Sequence, residues 1–274
     1  MIRDITLGQY YPAKSVIHQL DPRVKLVATM LYIISLFVAK GILGYVIATI
    51  FLAAVIYASN VPFKLIFNGL KAIVMLLMIT MTCNLLFIDG DVVLWHFGII
   101  RITDKGLRTA ILMGVRLIYL IIGSSLMTLT TTPNDLTDGM ERLLSPLKVV
   151  RVPVHEVSMM MSIALRFIPI LLEETDKIMK AQIARGADFE SGNIIQRAKA
   201  MIPLLVPLFL SAFRRATDLA MAMEARCYRG GDGRTKMKPL HYESRDHIAY
   251  AIVWGYLVLM IVFGRLLSGT VIPF

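Results

Sequence analysis

The stretch LVATMLYIISLFVAKGILGYVIATIFLAAVIYAS, residues 26–59, runs for 34 residues with a single charge, Lys40. A bilayer's hydrocarbon core is about 30 Å thick and a helix rises about 1.5 Å per residue, so one crossing takes about 20 apolar residues. The stretch is too long for one crossing, and Lys40-Gly41 interrupts it near its middle. It predicts two membrane spans, 26–39 and 41–59, joined by a tight turn. Outward from it, similar runs cover 70–88, 107–131 (interrupted only by Arg116) and 248–268. The expectation is an all-α membrane protein with five spans, four of them in an N-terminal transmembrane region, 1–132.

Two further apolar stretches resist this reading. Residues 157–172 contain Arg166 and Pro169, and residues 201–213 contain Pro203 and Pro207. Each is short for a crossing and leads directly into charged helix. They read as helices at or below the membrane surface. Were both to cross, the count would be seven, and two extra crossings would leave the outer topology unchanged.

Composition agrees with a membrane chain that carries a polar part. Hydrophobic residues make up 57%, against about 45–50% in an ordinary soluble domain, yet 18% of residues are charged. The net charge of +10 reads as a topology signal, because Lys and Arg concentrate on the cytoplasmic side. No nucleic-acid-binding motif accompanies it, so no nucleic-acid partner is expected. With the N-terminus inside, the inner segments hold 23 of the 29 basic residues, 17 of them between Thr132 and His247. The acidic Asp89-Gly90-Asp91 segment suits the outer face, and the C-terminus falls outside. Cys83 and Cys227 give neither a disulfide framework nor a metal-ligand spacing. The first residues lack a charged n-region and apolar core, so no cleavable signal is expected.

Residues 133–247 read as a cytoplasmic domain with helices near 134–147, 155–185 and 193–228, the first capped by Asn134 or Asp135. In the second, Glu173 with Lys177 and Asp176 with Lys180 are acid-first pairs four apart, the orientation that supports a helix. In the third, Phe209, Ala212, Ala216, Leu219 and Met223 recur at spacings of three and four, an apolar seam with small residues for close approach. Two long amphipathic helices, crossed over one another, are expected.

Both helices end alike. The second closes on Ala184-Arg185-Gly186 and the third on Ala225-Arg226-Cys227. A lone Arg there is most simply a favourable partner for the helix dipole. Two matching ends in one basic domain suggest docking, since a guanidinium offers a planar, permanently charged fork to a partner's carboxylates. On these ends, the His18-Gln-Leu-Asp21-Pro22-Arg23-Val-Lys25 run, the segment from Thr132 to Asp138 and Glu224-Ala-Arg-Cys-Tyr-Arg-Gly-Gly, the chain resembles one family. It is the transmembrane coupling (T) subunit of energy-coupling-factor transporters, related to the permease subunit of cobalt and nickel uptake systems.

The resemblance covers nearly the whole chain and implies a non-catalytic subunit in a prokaryotic plasma membrane. Its implied partners are two ABC-type ATPases, identical or homologous, and one small membrane substrate-binding (S) subunit, or several that exchange. Arg185 and Arg226 would dock into the ATPases. ATP and Mg would be used by those partners, with no cofactor bound here. The family commonly has Gly after the second Arg; Cys227 in its place predicts a weaker helix cap.

Other residues carry less. Arg116 lies inside a span, where a charge is a functional candidate or pairs internally. His96, His155, His241 and His247 form no ligand cluster and read as interfacial or loop residues. The Gly-rich run near 230 lacks the Lys-Ser/Thr of a phosphate loop. A membrane-embedded enzyme would show a cluster of acids, histidines or metal ligands at a membrane edge. A stand-alone secondary transporter would show repeated spans with broken helices. Neither pattern is visible in the sequence.

Overall fold

The computed structural model describes residues 10–39, 41–71, 73–88, 93–97, 100–189, 193–231, 237 and 239–269. Lys40, Asp89, Gly90, Asp91, Ser191, Gly192, Asp232 and Gly233, on which several expected turns rest, lie outside the described residues. The described chain is helical apart from one two-stranded hairpin. It divides into two compact units. One holds the described residues up to Gly139 together with those from Leu240 onward; the other runs from Met140 to Pro239.

In the first unit, α1 (Pro22–Val38) starts four residues before the apolar run, because Asp21 and Pro22 set its beginning. The Asp21 carboxylate accepts from the Arg23 N–H at 2.9 Å, and Pro22 sits where a missing N–H costs nothing. α2 (Gly41–Ser59) opens on Gly41, whose φ of +65° turns the chain sharply out of α1. The expected span 70–88 falls mainly on α4 (Val74–Phe87), which follows α3 (Phe63–Lys71) with its axis 60° away. Lys64 and Lys71, two turns apart, put charge on one face of α3, whereas α4 holds no charged residue. The strands β1 (Val93–Phe97) and β2 (Ile100–Thr103) pair antiparallel before α5 (Asp104–Thr130). Buried Thr103 caps α5, accepting from the Gly106 N–H at 3.1 Å and donating to the Ile88 carbonyl at 2.8 Å.

The core of this unit is aromatic. Tyr32 and Leu36 of α1, Ala48 and Leu52 of α2, and Tyr256 and Met260 of α10 (Ser244–Gly269) are buried together. The Phe51 and Tyr256 rings stack with centroids 4.0 Å apart. Gly123 on α5 leaves room for the Tyr32 ring, which a Cβ there would meet at 2.4 Å. A polar anchor closes one end. Asp246 accepts from the Asp21 N–H at 2.9 Å and the Glu243 N–H at 2.8 Å, while Lys25 Nζ donates to the carbonyls of His18 and Thr130. Burial holds the His18 imidazole below its usual pKa. Arg116 pairs internally: its Nε donates to the Tyr45 hydroxyl at 3.0 Å, and the guanidinium lies over the Phe37 ring.

The second unit begins within α6 (Pro133–Leu144). Its cap is Thr132, which accepts from the Asp135 N–H at 3.2 Å, rather than Asn134 or Asp135; with Pro133 at the first helical position, Thr132 falls in the capping place. A 3-10 turn over Ser145–Val150 ends the helix short of residue 147, at the Ser145-Pro146 step. α7 (Val154–Ala184) is one helix of 31 residues. The helix expected at 193–228 is divided into α8 (Ile194–Ala200) and α9 (Ile202–Ala225), because Pro203 has no N–H to return to the preceding turn.

Among the described residues five helical segments are long and apolar enough to cross a membrane: α2, α5, α7, Ile195–Ala225 and α10. The bent pair α3–α4 would add a sixth. The set differs from the five spans read in the sequence. α1, at 17 residues, and α4, at 14, fall outside it, and the helices that hold 157–172 and 201–213 qualify by length and composition.

Candidate functional site

α7 and α9 pack antiparallel. Gln182 Nε2 donates to the Pro203 carbonyl at 3.3 Å, and eight residues back on α7, eight forward on α9, Glu174 accepts from the Ser211 hydroxyl at 2.7 Å. Arg215, one turn further along α9, donates to the other Glu174 oxygen at 2.5 Å. Still further along, Ile163, Phe167 and Leu171 of α7 face Ala212, Ala216, Leu219 and Met223 of α9 across an apolar groove of about 250 Å³. Of the five seam residues read from the sequence, these four line the groove. Phe209 is exposed and leans on Phe213 with ring centroids 6.1 Å apart.

The two arginine ends have one geometry. Arg185 is the C-cap of α7, with φ −88° and ψ 4°; Arg226 is the C-cap of α9, with φ −92° and ψ 13°. After Arg185, the Gly186 N–H donates to the Ile183 carbonyl at 2.9 Å and the Ala187 N–H to the Gln182 carbonyl at 3.0 Å. After Arg226, the Cys227 N–H donates to the Glu224 carbonyl at 2.8 Å and the Tyr228 N–H to the Met223 carbonyl at 3.0 Å. Each is a complete Schellman closure. It needs a left-handed residue after the cap, and both supply one, Gly186 at φ +88° and Cys227 at φ +55°. The turn is therefore kept where Cys stands in place of Gly. A non-glycine residue pays for it in backbone energy, about 1 kcal/mol or a little more.

Ala184, Arg185, Gly186, Ala225, Arg226 and Cys227 are all exposed. Among the described residues neither guanidinium has a hydrogen-bond or ion-pair partner, so both are available to carboxylates from outside. The antiparallel packing puts them at opposite ends of the pair. Arg226 lies 23 residues along α9 from the Pro203 turn that meets Gln182, which at 1.5 Å per residue separates the tips by roughly 35 Å.

The first halves of α7 and α9 expose large apolar side chains on several sides. Val157, Met160 and Met161 on α7 and Ile202, Leu205, Val206, Phe209, Leu210 and Phe213 on α9 are all exposed, and Leu204 is the one buried residue of α9. A surface of this extent marks a face for lipid or another protein. The sequence reading missed one group of functional interest. His155, at the start of α7 as expected, is half-buried, with Nδ1 2.9 Å from Glu141 Oε1. No local pattern signals this, because the partner lies in another helix.

Similarity to known proteins supports the same assignment. Residues 13–237 match the CbiQ family, described as cobalt transport protein. The chain is 55% identical over 250 residues to the energy-coupling factor transporter transmembrane protein EcfT of Clostridium kluyveri, covering 91% of this chain and 93% of that one. It is 51% identical over 261 residues to EcfT of Ruminiclostridium cellulolyticum, covering 95% and 97% of the two chains. With EcfT of Bacillus subtilis it shares 46% over 246 residues, covering 90% and 93%. With two arginine-capped helix ends on an apolar, multi-helix chain, and relatives that match it over nearly their whole length, the chain belongs to the CbiQ family, among the transmembrane components of energy-coupling factor transporters.

Proposed function

We propose that this chain is the non-catalytic coupler of an ATP-driven importer. Two ABC-type ATPase subunits dock on Arg185 and Arg226, each arginine forking onto acidic groups in one ATPase. The antiparallel pair carries their movement to a small membrane S subunit, which holds the substrate. ATP and Mg are handled by the ATPases. The N-terminus and the arginine-tipped pair are cytoplasmic, and the C-terminus is outside.

The observation that carries this reading is the matched geometry of the two tips at opposite ends of one antiparallel pair. Two ATPases side by side need two like contacts held apart, and a spacing of roughly 35 Å supplies them. The same packing bears on how α7 and α9 sit. Were both to cross the bilayer antiparallel, the two tips would emerge on opposite faces and could not both meet cytoplasmic ATPases. The pair therefore lies along the membrane, its exposed apolar halves turned to lipid and to the S subunit.

The test is ATP-driven uptake by cells or proteoliposomes carrying Arg185→Glu together with Arg226→Glu. Reversal of both charges is expected to abolish uptake and ATPase association. Survival of both would remove the docking claim.

A further inference from the structure

The chain beyond Arg226 returns to α7. Five residues past that arginine, Gly231 lies flat on the imidazole of His155. A Cβ at Gly231 would come within 2.4 Å of Cδ2, 2.6 Å of Cγ and 3.0 Å of Nε2 of that ring. No side chain fits between them. The ring is held from its other edge: Nδ1 is 2.9 Å from Glu141 Oε1, and the Ser158 hydroxyl donates to Glu141 Oε2 at 3.1 Å. Nε2 is buried without a hydrogen-bond partner among the described residues, so this edge of the ring meets the chain by packing.

The antiparallel register explains how these parts meet. It brings the first turn of α7 beside the C-terminal end of α9, and so brings His155 to the segment that leaves the Arg226 tip.

We propose that Gly231, His155, Glu141 and Ser158 form a clasp that fixes the pose of the Arg226 tip. His155 is thus a positioning residue for a docking arginine, which it reaches through the backbone. Only that consequence rests on the docking reading; the clasp itself is a property of this chain alone. A held tip presents a preorganised contact to its partner.

Cys227 is exposed next to Arg226 and serves as a probe position. The full chain with Cys83→Ser, spin-labelled at Cys227 in lipid nanodiscs, is compared with Gly231→Ala and His155→Ala versions. A second set carries Cys83→Ser, Cys227→Ser and Ala187→Cys, and is labelled at position 187. Each clasp variant is expected to raise label mobility at 227 by about two-fold or more on the nanosecond scale and leave it unchanged at 187. Adding Gly231→Ala to His155→Ala should change little more, since the new methyl enters the space the ring has left. Glu141→Gln gives the same reading if Gly231→Ala does not fold. Unchanged mobility at 227, or an equal rise at both positions, would overturn the clasp. Because no ATPase is present, these outcomes stand apart from the docking reading, which fails separately if Arg226→Glu does not weaken ATPase binding.

Discussion

Cys227 occupies the left-handed conformation that its neighbours' hydrogen bonds require, at φ +55°. It thereby keeps Arg226 in the pose that Gly186 gives to Arg185. The sequence marks both tips, because the arginines, the preceding alanines and the ends of the apolar periodicity are local signals. It leaves the effect of Cys227 undecided, since a β-carbon at a positive φ is tolerated only when surrounding bonds hold it there. Here the two Schellman bonds do so. Cys227→Gly is therefore expected to stabilise the chain by about 0.5–1 kcal/mol without altering the tip. A thermal-unfolding series in mild detergent checks it; a fall in the midpoint would mean that the thiol makes a contact of its own.

α7 and α9 show what an element inherits from its sequence and what only packing decides. The length of α7, the apolar beginnings of both and four of the five seam positions are readable from spacing. Their antiparallel sense is not, because it depends on pairs such as Gln182 with Pro203 and Glu174 with Ser211, which lie 21 and 37 residues apart. The same limit hides the His155–Glu141 contact and the Asp21–Asp246 anchor, the latter joining residues 225 apart. The break between α3 and α4 is nearer to view, in the charges of Lys64 and Lys71, but the apolar run at 70–88 masks it. Leu219 lines the groove between α7 and α9. Leu219→Asp places a charge there without touching either tip. ATP hydrolysis by the assembled transporter is expected to continue while uptake falls; parallel measurement of phosphate release and substrate accumulation separates the two. Unchanged uptake per ATP would argue against the pair as the coupling element.

At the scale of the whole molecule, hydropathy makes the membrane character legible, because it is a sum over many residues; the charge distribution supplies an expectation of orientation. The set of crossing helices was less legible: length and apolarity admit α7 and Ile195–Ala225, and only their antiparallel packing argues for a place along the bilayer. The orientation can be read with Cys227 as the single thiol in a Cys83→Ser chain. A membrane-impermeant maleimide is expected to label it in inverted vesicles and not in intact cells; labelling in intact cells would reverse the assigned sides. The central claim, one ATPase on each arginine, is met most directly by native mass measurement of the complex purified in mild detergent through a tag on this chain. The unaltered chain is expected to carry two ATPase subunits and a small membrane protein, and the chain with Arg185→Glu and Arg226→Glu neither ATPase. Two ATPases retained on the doubly altered chain would contradict the account.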